Sequence, residues 1–246
     1  MTFPFRQTLT GHEKLREEQE VLENCYDAIE NNSKVNGFKA PSQLLTLSSF
    51  KIPTSVAIDY MHSVCLGVVK ALVALWFNST NSDKPWYCGS KISEVDSRLL
   101  QIKSPNFINR VPRSLESHRK HWKAAEYRSW LFYYSLPCMR GLLNEEYYSH
   151  YSLLVGAIFI LTKESISTQD LTRASKLLIH FLEMVDIYYG PRHLLMNQHL
   201  LLHLVENVRA HGPLWSSSLF VFEDWNGDIT DYYHGTQNVP KQVTVK

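Results

Sequence analysis

The chain has 246 residues, 44% of them hydrophobic and 20% charged, which is typical of a folded globular protein and excludes a disordered or fibrous one. With 25 basic and 24 acidic residues the net charge is +1, so any contact with nucleic acid must come from a local patch. Its four cysteines form no C-x-x-C pair and no apolar run reaches the ~20 residues of a membrane span, so we expect a soluble nuclear or cytoplasmic protein with no membrane partner.

The first two predicted helices differ in character. A capping-box pattern at Thr10 and Glu13 predicts an amphipathic helix that ends near residue 32. A connector that contains glycine and proline follows over residues 33–57. The next helix, 59–77, is apolar almost all round, which indicates that it is buried.

Two ionisable residues, Asp59 and His62, stand at the start of that buried helix. Their spacing of three places them on one helix face, within reach of each other or of a shared partner. Aspartate is a preferred N-cap, so Asp59 could simply satisfy free backbone N–H groups, including that of His62. The alternative is a functional pair, and spacing alone favours the cap.

A dense basic run follows the next amphipathic helix, which is predicted over residues 91–102. The run can be a solvated helix face, or a strip that contacts phosphates with Trp122 as a stacking aromatic. On the second interpretation, the candidate DNA-binding residues are Arg113, Arg119, Lys120 and Lys123.

The remainder of the chain predicts further helices. They cover 123–136 with Pro137 as the end or kink, 144–161 with Asn144 as the cap, a helix from the Ser167/Asp170 capping pair to Gly190-Pro191, and 193–211 before Gly212-Pro213. Only residues 219–222 look like a strand, and they could equally be an apolar loop that leads into the helix of Glu223. We therefore predict a mainly α fold, an irregular multi-helix bundle with little or no sheet.

Two groups of residues could bind a metal ion. His199, His203 and Glu206 have the spacing of a zinc site, but Leu200 stands where a zincin has its general base, so packed histidines are favoured over a helical metalloenzyme. Glu223 and Asp224 lie among aromatic residues, which suits a divalent-metal ligand or an acidic helix start. No P-loop, Rossmann or nucleophile-elbow motif is present.

Several short motifs carry a family resemblance from about residue 33 to the end. In order they are Asp59-Tyr60-Met61-His62 with 65–69, Glu126-Tyr127-Arg128 with 134–137, Asn197 with 199–204, 212–215, Phe222-Glu223-Asp224 with 226–227, and His234-Gly235-Thr236. Together they resemble the C-terminal part of animal CACTA (En/Spm-type) transposases. In that family an RNase-H-like core carries an Asp-Asp-Glu triad with two divalent metals, and a helical insertion precedes the Glu.

The resemblance implies roles for three residues. Asp59 and His62 match the Asp-x-x-His motif of the family, and Glu223 matches the metal-binding Glu, so these are the candidate catalytic residues. Residues 33–215 would be the helical insertion, 216–246 the Glu-bearing segment of the catalytic core, and 1–32 an added N-terminal helix.

The first two catalytic Asp residues of the family would lie before residue 1. One Glu cannot hold the two ions, Mg²⁺ or Mn²⁺, of the ancestral reaction. The resemblance therefore implies a transposase-derived fragment that is not an enzyme by itself and holds no cofactor. The alternative is a domesticated helical module that binds DNA through the basic run, a protein partner or a second copy of itself.

Overall fold

The computed structural model describes residues 16–106, 108 and 110–231, and within them it confirms the mainly α, multi-helix fold. These residues contain no β-strand; an isolated β-bridge joins Val35 to Phe38. The predicted capping pair Thr10/Glu13 and the motif at 234–236 lie outside the described residues.

Eleven α-helices are seen in the described residues. They are α1 (Glu18–Glu30), α2 (Lys70–Phe77), α3 (Ile92–Gln101), α4 (Leu115–His118), α5 (Ala124–Ser129), α6 (Ser135–Met139), α7 (Glu145–Leu161), α8 (Thr168–Tyr189), α9 (Met196–Leu200), α10 (Leu204–His211) and α11 (Phe220–Asp231). Two π-helical segments interrupt this series, Met61–Val69 before α2 and Trp130–Tyr134 between α5 and α6.

The two longest helices, α7 and α8, pack along each other and form the centre of the core. The Asn144 side chain accepts a hydrogen bond from the Glu146 N–H, and Ser167 and Asp170 form the predicted capping box, so both starts are confirmed. Gly190 ends α8 with φ of 89°, a conformation that glycine adopts without strain.

The apolar segment 59–77 is largely buried, as predicted, but nine of its residues, Met61–Val69, are π-helical. Val64, Cys65 and Val68 are fully buried. Gly67 faces α9 so closely that a Cβ there would lie 2.6 Å from the Asn197 side chain. Only glycine lets these two elements approach to this distance, and π-helical segments of this kind are frequent at functional sites.

Two predicted helix boundaries are wrong. Pro137 does not end its helix, because the helical turns continue from Ala124 through the π-helical segment and α6 to Met139, two residues beyond it. The predicted helix 193–211 is broken by a 3₁₀ turn, Leu201–His203, between α9 and α10. Leu201 and Leu204 are both fully buried, and a 3₁₀ turn sets residues three apart on the same side.

Residues 220–222 belong to α11, so both interpretations of this stretch, a strand and an apolar loop, are wrong for them. The helix begins at Phe220, and Glu223 stands in its first turn. None of the described helices combines the length and apolar character needed to cross a membrane.

Candidate functional site

Asp59 is the predicted N-cap, and it also contacts the His62 ring. Its Oδ1 accepts a hydrogen bond from the Met61 N–H at 3.1 Å and its Oδ2 accepts one from the His62 N–H at 3.0 Å, which caps the π-helical segment. Its Oδ2 also lies 2.6 Å from His62 Nδ1. Because the carboxylate accepts, Nδ1 carries the hydrogen in this pair, and Nε2 is the nitrogen that can accept or bind another group.

The same carboxylate connects two distant parts of the described chain. Asp59 Oδ1 accepts a further hydrogen bond, at 3.0 Å, from the backbone N–H of Leu219, which directly precedes α11. The two residues are 160 positions apart, and nothing in the sequence pattern signals the contact. It brings the start of the acidic helix beside His62.

Between these elements lies a groove of about 640 Å³, which we call the acidic groove. Its charged lining residues are His62, Arg110, Lys123, Glu223, Asp224 and Asp228, and its apolar lining includes Met61, Leu66 and Phe220. The structure thus brings His62 and Glu223 to one surface, next to the partner of His62, Asp59. His62 is half-exposed and Glu223 is exposed, so both can reach a ligand from solvent.

One aromatic side chain anchors α11 to the bundle. The Phe220 ring centre lies 5.7 Å from that of Tyr60, and the Arg128 guanidinium lies 4.6 Å above it, a cation–π contact. Burial raises the pKa of Tyr60 to about 12, so its hydroxyl stays neutral. The outer residues of the helix, Val221, Phe222 and Trp225, are each more than half exposed.

Arg113, a predicted DNA contact, supports the fold. Its Nε donates to Glu126 Oε1 at 2.7 Å and its Nη2 donates to Glu126 Oε2 at 2.9 Å, while Glu126 is 1% exposed. Burial pushes the pKa of Glu126 up, but the Arg113 hydrogen bonds and two backbone N–H groups outweigh it and hold that pKa below its usual range. Trp122, the expected stacking aromatic, is buried and donates to the Arg113 carbonyl.

The other three predicted DNA contacts lie at two places. Arg119 donates to the carbonyls of Phe77 and Leu115 at 3.0 and 3.3 Å, so it closes the end of α2. Lys120 is exposed beside a separate cavity of about 240 Å³, whereas exposed Lys123 lines the acidic groove. The four predicted contacts are thus divided among the Arg113–Glu126 pair, the cavity lined by Arg119 and Lys120, and the acidic groove lined by Lys123. Arg110, which the sequence interpretation missed, is the second cation of the groove.

The candidate metal ligands do not converge. His199 and His203 lie together, with 3.3 Å between their Nε2 atoms, but Glu206 accepts from Arg209 Nη1 at 2.9 Å. Within the described part of the chain, no three His, Cys, Asp or Glu side chains form a group that could hold a metal ion. The acidic residues of the groove thus do not by themselves fit the two divalent ions that the resemblance implies.

No protein-family model, curated protein or solved structure matches the chain significantly.

Proposed function

We propose that this chain is derived from a CACTA-type transposase, that its acidic groove contacts DNA, and that the chain alone does not cleave DNA. The observation that carries this proposal is the hydrogen bond from the Leu219 N–H to Asp59, which sets Glu223 and His62 on one groove. These are the residues that match the two family motifs.

Charge in the groove supports a contact with the DNA backbone. Arg110 and Lys123 are exposed cations on its lining, and phosphate contacts of this kind provide most of the sequence-independent affinity of DNA-binding proteins. Glu223, Asp224 and Asp228 would repel phosphates in the absence of a cation. A phosphate would thus be held at the basic side of the groove, with the acidic helix beside it.

The proposed inability to cleave follows from the chemistry of two-metal catalysis. Carboxylates must hold both ions so that they stabilise the attacking and the leaving oxygens. The resemblance assigns Glu223 to this task, and on this proposal the other two carboxylates must come from elsewhere.

A nicking and binding assay tests both parts of the proposal. We expect salt-dependent binding of a labelled duplex that Arg110→Ala and Lys123→Ala each weaken, and no nicking of supercoiled plasmid in Mg²⁺ or Mn²⁺. Lys120→Ala is the control, because Lys120 belongs to the same basic run but lies outside the groove. Nicking that Glu223→Gln abolishes would contradict the second part, and absence of binding at low salt would contradict the first.

A second candidate function is favoured by the apolar outer face of α11. Phe222 and Trp225 are 55% and 57% exposed and their rings are in contact, so the helix presents an apolar surface typical of an interaction module. If the chain associates with itself through this face, sedimentation equilibrium will show a dimer that Phe222→Ser with Trp225→Ser abolishes. A monomer over the whole concentration range would contradict self-association.

A further inference from the structure

A second cleft, rich in aromatic side chains, adjoins the acidic groove. It has a volume of about 390 Å³, within the range of about 300–1,000 Å³ that is common for ligand sites. Its aromatic lining residues are Tyr60, Phe132, Tyr133, Phe159 and Trp215, and two cations, Arg128 and Lys163, complete it. We call it the aromatic cleft.

The rings of this cleft are unusually exposed for side chains of their size. Tyr133, Phe159 and Trp215 are 46%, 57% and 51% exposed, although they come from three separate parts of the chain. Single exposed aromatics are common on protein surfaces, but three around one cleft offer stacking surfaces to a planar ligand. Packing of the hydrophobic core does not explain why these three rings are exposed.

The cations of the cleft are fixed, but in different ways. Arg128 lies over Phe220, so its planar guanidinium is held at the edge of the cleft. Lys163 is paired with Asp170 at 2.7 Å, which lowers the pKa of that carboxyl to about 2 and partly neutralises the lysine. Arg128 is therefore the main positive charge available to an anionic ligand.

The aromatic cleft and the acidic groove meet at Phe220. The Phe220 ring lines the acidic groove, and the two groups packed on that ring, Tyr60 and Arg128, line the aromatic cleft. A polymer that places a phosphate at Lys123 or Arg110 can thus continue past Arg128 into the aromatic cleft. Its next unit would meet exposed rings.

We propose that the aromatic cleft binds an unpaired nucleotide of a single strand, with the base stacked on Trp215 or Phe159 and the phosphate near Arg128. Stacking of bases on aromatic rings beside cations is the general mode by which proteins bind single strands. The proposal deepens the proposed function, on which the choice of DNA over RNA rests. Duplex DNA keeps its bases paired and cannot use the cleft.

Fluorescence anisotropy with a labelled oligothymidine of about 20 nucleotides and a blunt duplex tests this assignment. Trp215→Ala and Phe159→Ala are each expected to weaken binding of the single strand about tenfold and to leave duplex binding unchanged. Tyr26→Ala is the matched control, since Tyr26 is 59% exposed on α1, away from both clefts. Thermal unfolding of each variant verifies that it folds.

The outcomes separate this inference from the proposed function. Single-strand binding that is absent, or unaffected by Trp215→Ala and Phe159→Ala, overturns the aromatic cleft even if Lys123→Ala weakens duplex binding. The converse result is that single-strand binding weakens in the two aromatic variants while Lys123→Ala and Arg110→Ala leave duplex binding unchanged. That result supports the aromatic cleft and contradicts the role of the acidic groove. Tighter binding of an oligouridine of equal length would support the aromatic cleft as a nucleotide site but would contradict DNA as its ligand.

Discussion

At the scale of single residues, Asp59 joins the π-helical segment, His62 and the start of α11. Its carboxylate accepts from the N–H groups of Met61, His62 and Leu219 and pairs with the His62 ring, while only 14% of its side chain is exposed. One side chain therefore starts a buried helical segment, orients a histidine and holds α11.

Replacing Asp59 should affect α11 more than the rest of the fold. Asp59→Ala removes a helix cap, which costs about 1–2 kcal/mol of unfolding free energy, and it releases the Leu219 N–H. In Asp59→Ser the hydroxyl can still cap the π-helical segment but is too short to reach Leu219, so stability is partly restored while α11 stays loosened. Hydrogen exchange of the α11 amides measures this; equal protection in wild type and Asp59→Ala would contradict it.

Arg113 should matter for stability and not for ligand binding. Arg113→Ala leaves Glu126 buried without its cation, and we expect a clearly lower unfolding free energy, although the loss is smaller than for a fully buried pair because Arg113 is itself half exposed. Lys120→Ala replaces an exposed residue of the same run and should change the unfolding free energy by no more than about 0.5 kcal/mol. Urea denaturation compares the two variants, and equal midpoints would show that the Arg113–Glu126 pair does not stabilise the fold.

His150 should make the fold sensitive to mild acid. It is buried, stacked 4.3 Å from Phe181 and bonded through Nε2 to the Phe181 carbonyl; burial lowers its pKa to about 4, although that hydrogen bond acts in the opposite direction. Below the unfolded pKa of ~6.5 the unfolded chain binds a proton that the folded chain does not bind until pH reaches about 4. The contribution of neutral His150 to the unfolding free energy is thus complete above pH ~6.5 and is lost as the pH falls toward about 4.

Between pH 7 and pH 5 this linkage amounts to about 2 kcal/mol of unfolding free energy. Urea denaturation at the two pH values measures the difference. In His150→Gln, which keeps an N–H donor for the Phe181 carbonyl but cannot titrate, most of the difference should disappear. The same pH dependence in both proteins would assign it to other groups.

At the scale of elements, the contact between the π-helical segment and α9 depends on Gly67. A Cβ at Gly67 would lie 2.6 Å from Asn197 Cγ and Nδ2. Gly67→Ala should therefore lower the unfolding free energy by about 1–3 kcal/mol through overpacking. Gly156 on α7 is the control, because its nearest neighbour would be Leu177 Cδ1 at 3.6 Å, an ordinary contact.

Gly156→Ala should accordingly be neutral or stabilise the protein by up to about 1 kcal/mol, since alanine is the better helix former. Combining Gly67→Ala with Asn197→Ala should cost less than the two single changes together, because the second removes part of the clash. Thermal denaturation of the four variants checks this. Strict additivity would place the cause of the destabilisation elsewhere.

Local signals in the sequence predicted some elements closely and could not predict others. The start of α7 at Asn144 and the limits of α8 follow from caps and from Gly190-Pro191, which act within a few residues. The π-helical segment lies against Asn197 at Gly67, and Leu201 and Leu204, at the break before α10, are fully buried by other parts of the chain. A search for α-helical periodicity in the sequence cannot detect contacts with other elements of the fold.

At the scale of the whole molecule, the acidic groove is assembled from distant parts of the chain. Contacts of Asp59 with Leu219 and of Arg128 with Phe220 hold α11 against the bundle, beside His62, Arg110 and Lys123. The sequence singled out His62, Lys123 and Glu223 by residue type and motif but could not pair them, and it could not show that Arg113, a candidate DNA contact, pairs with Glu126.

We propose that His62 and α11 form one DNA-contacting surface. Nuclear magnetic resonance of the protein during titration with a short duplex tests this surface. We predict concerted shifts of the His62 ring signals and of the α11 amides near Glu223, lost in Lys123→Ala and retained in Lys120→Ala. Shifts confined to the neighbourhood of Lys120, or none at either His62 or α11, would contradict the proposed surface.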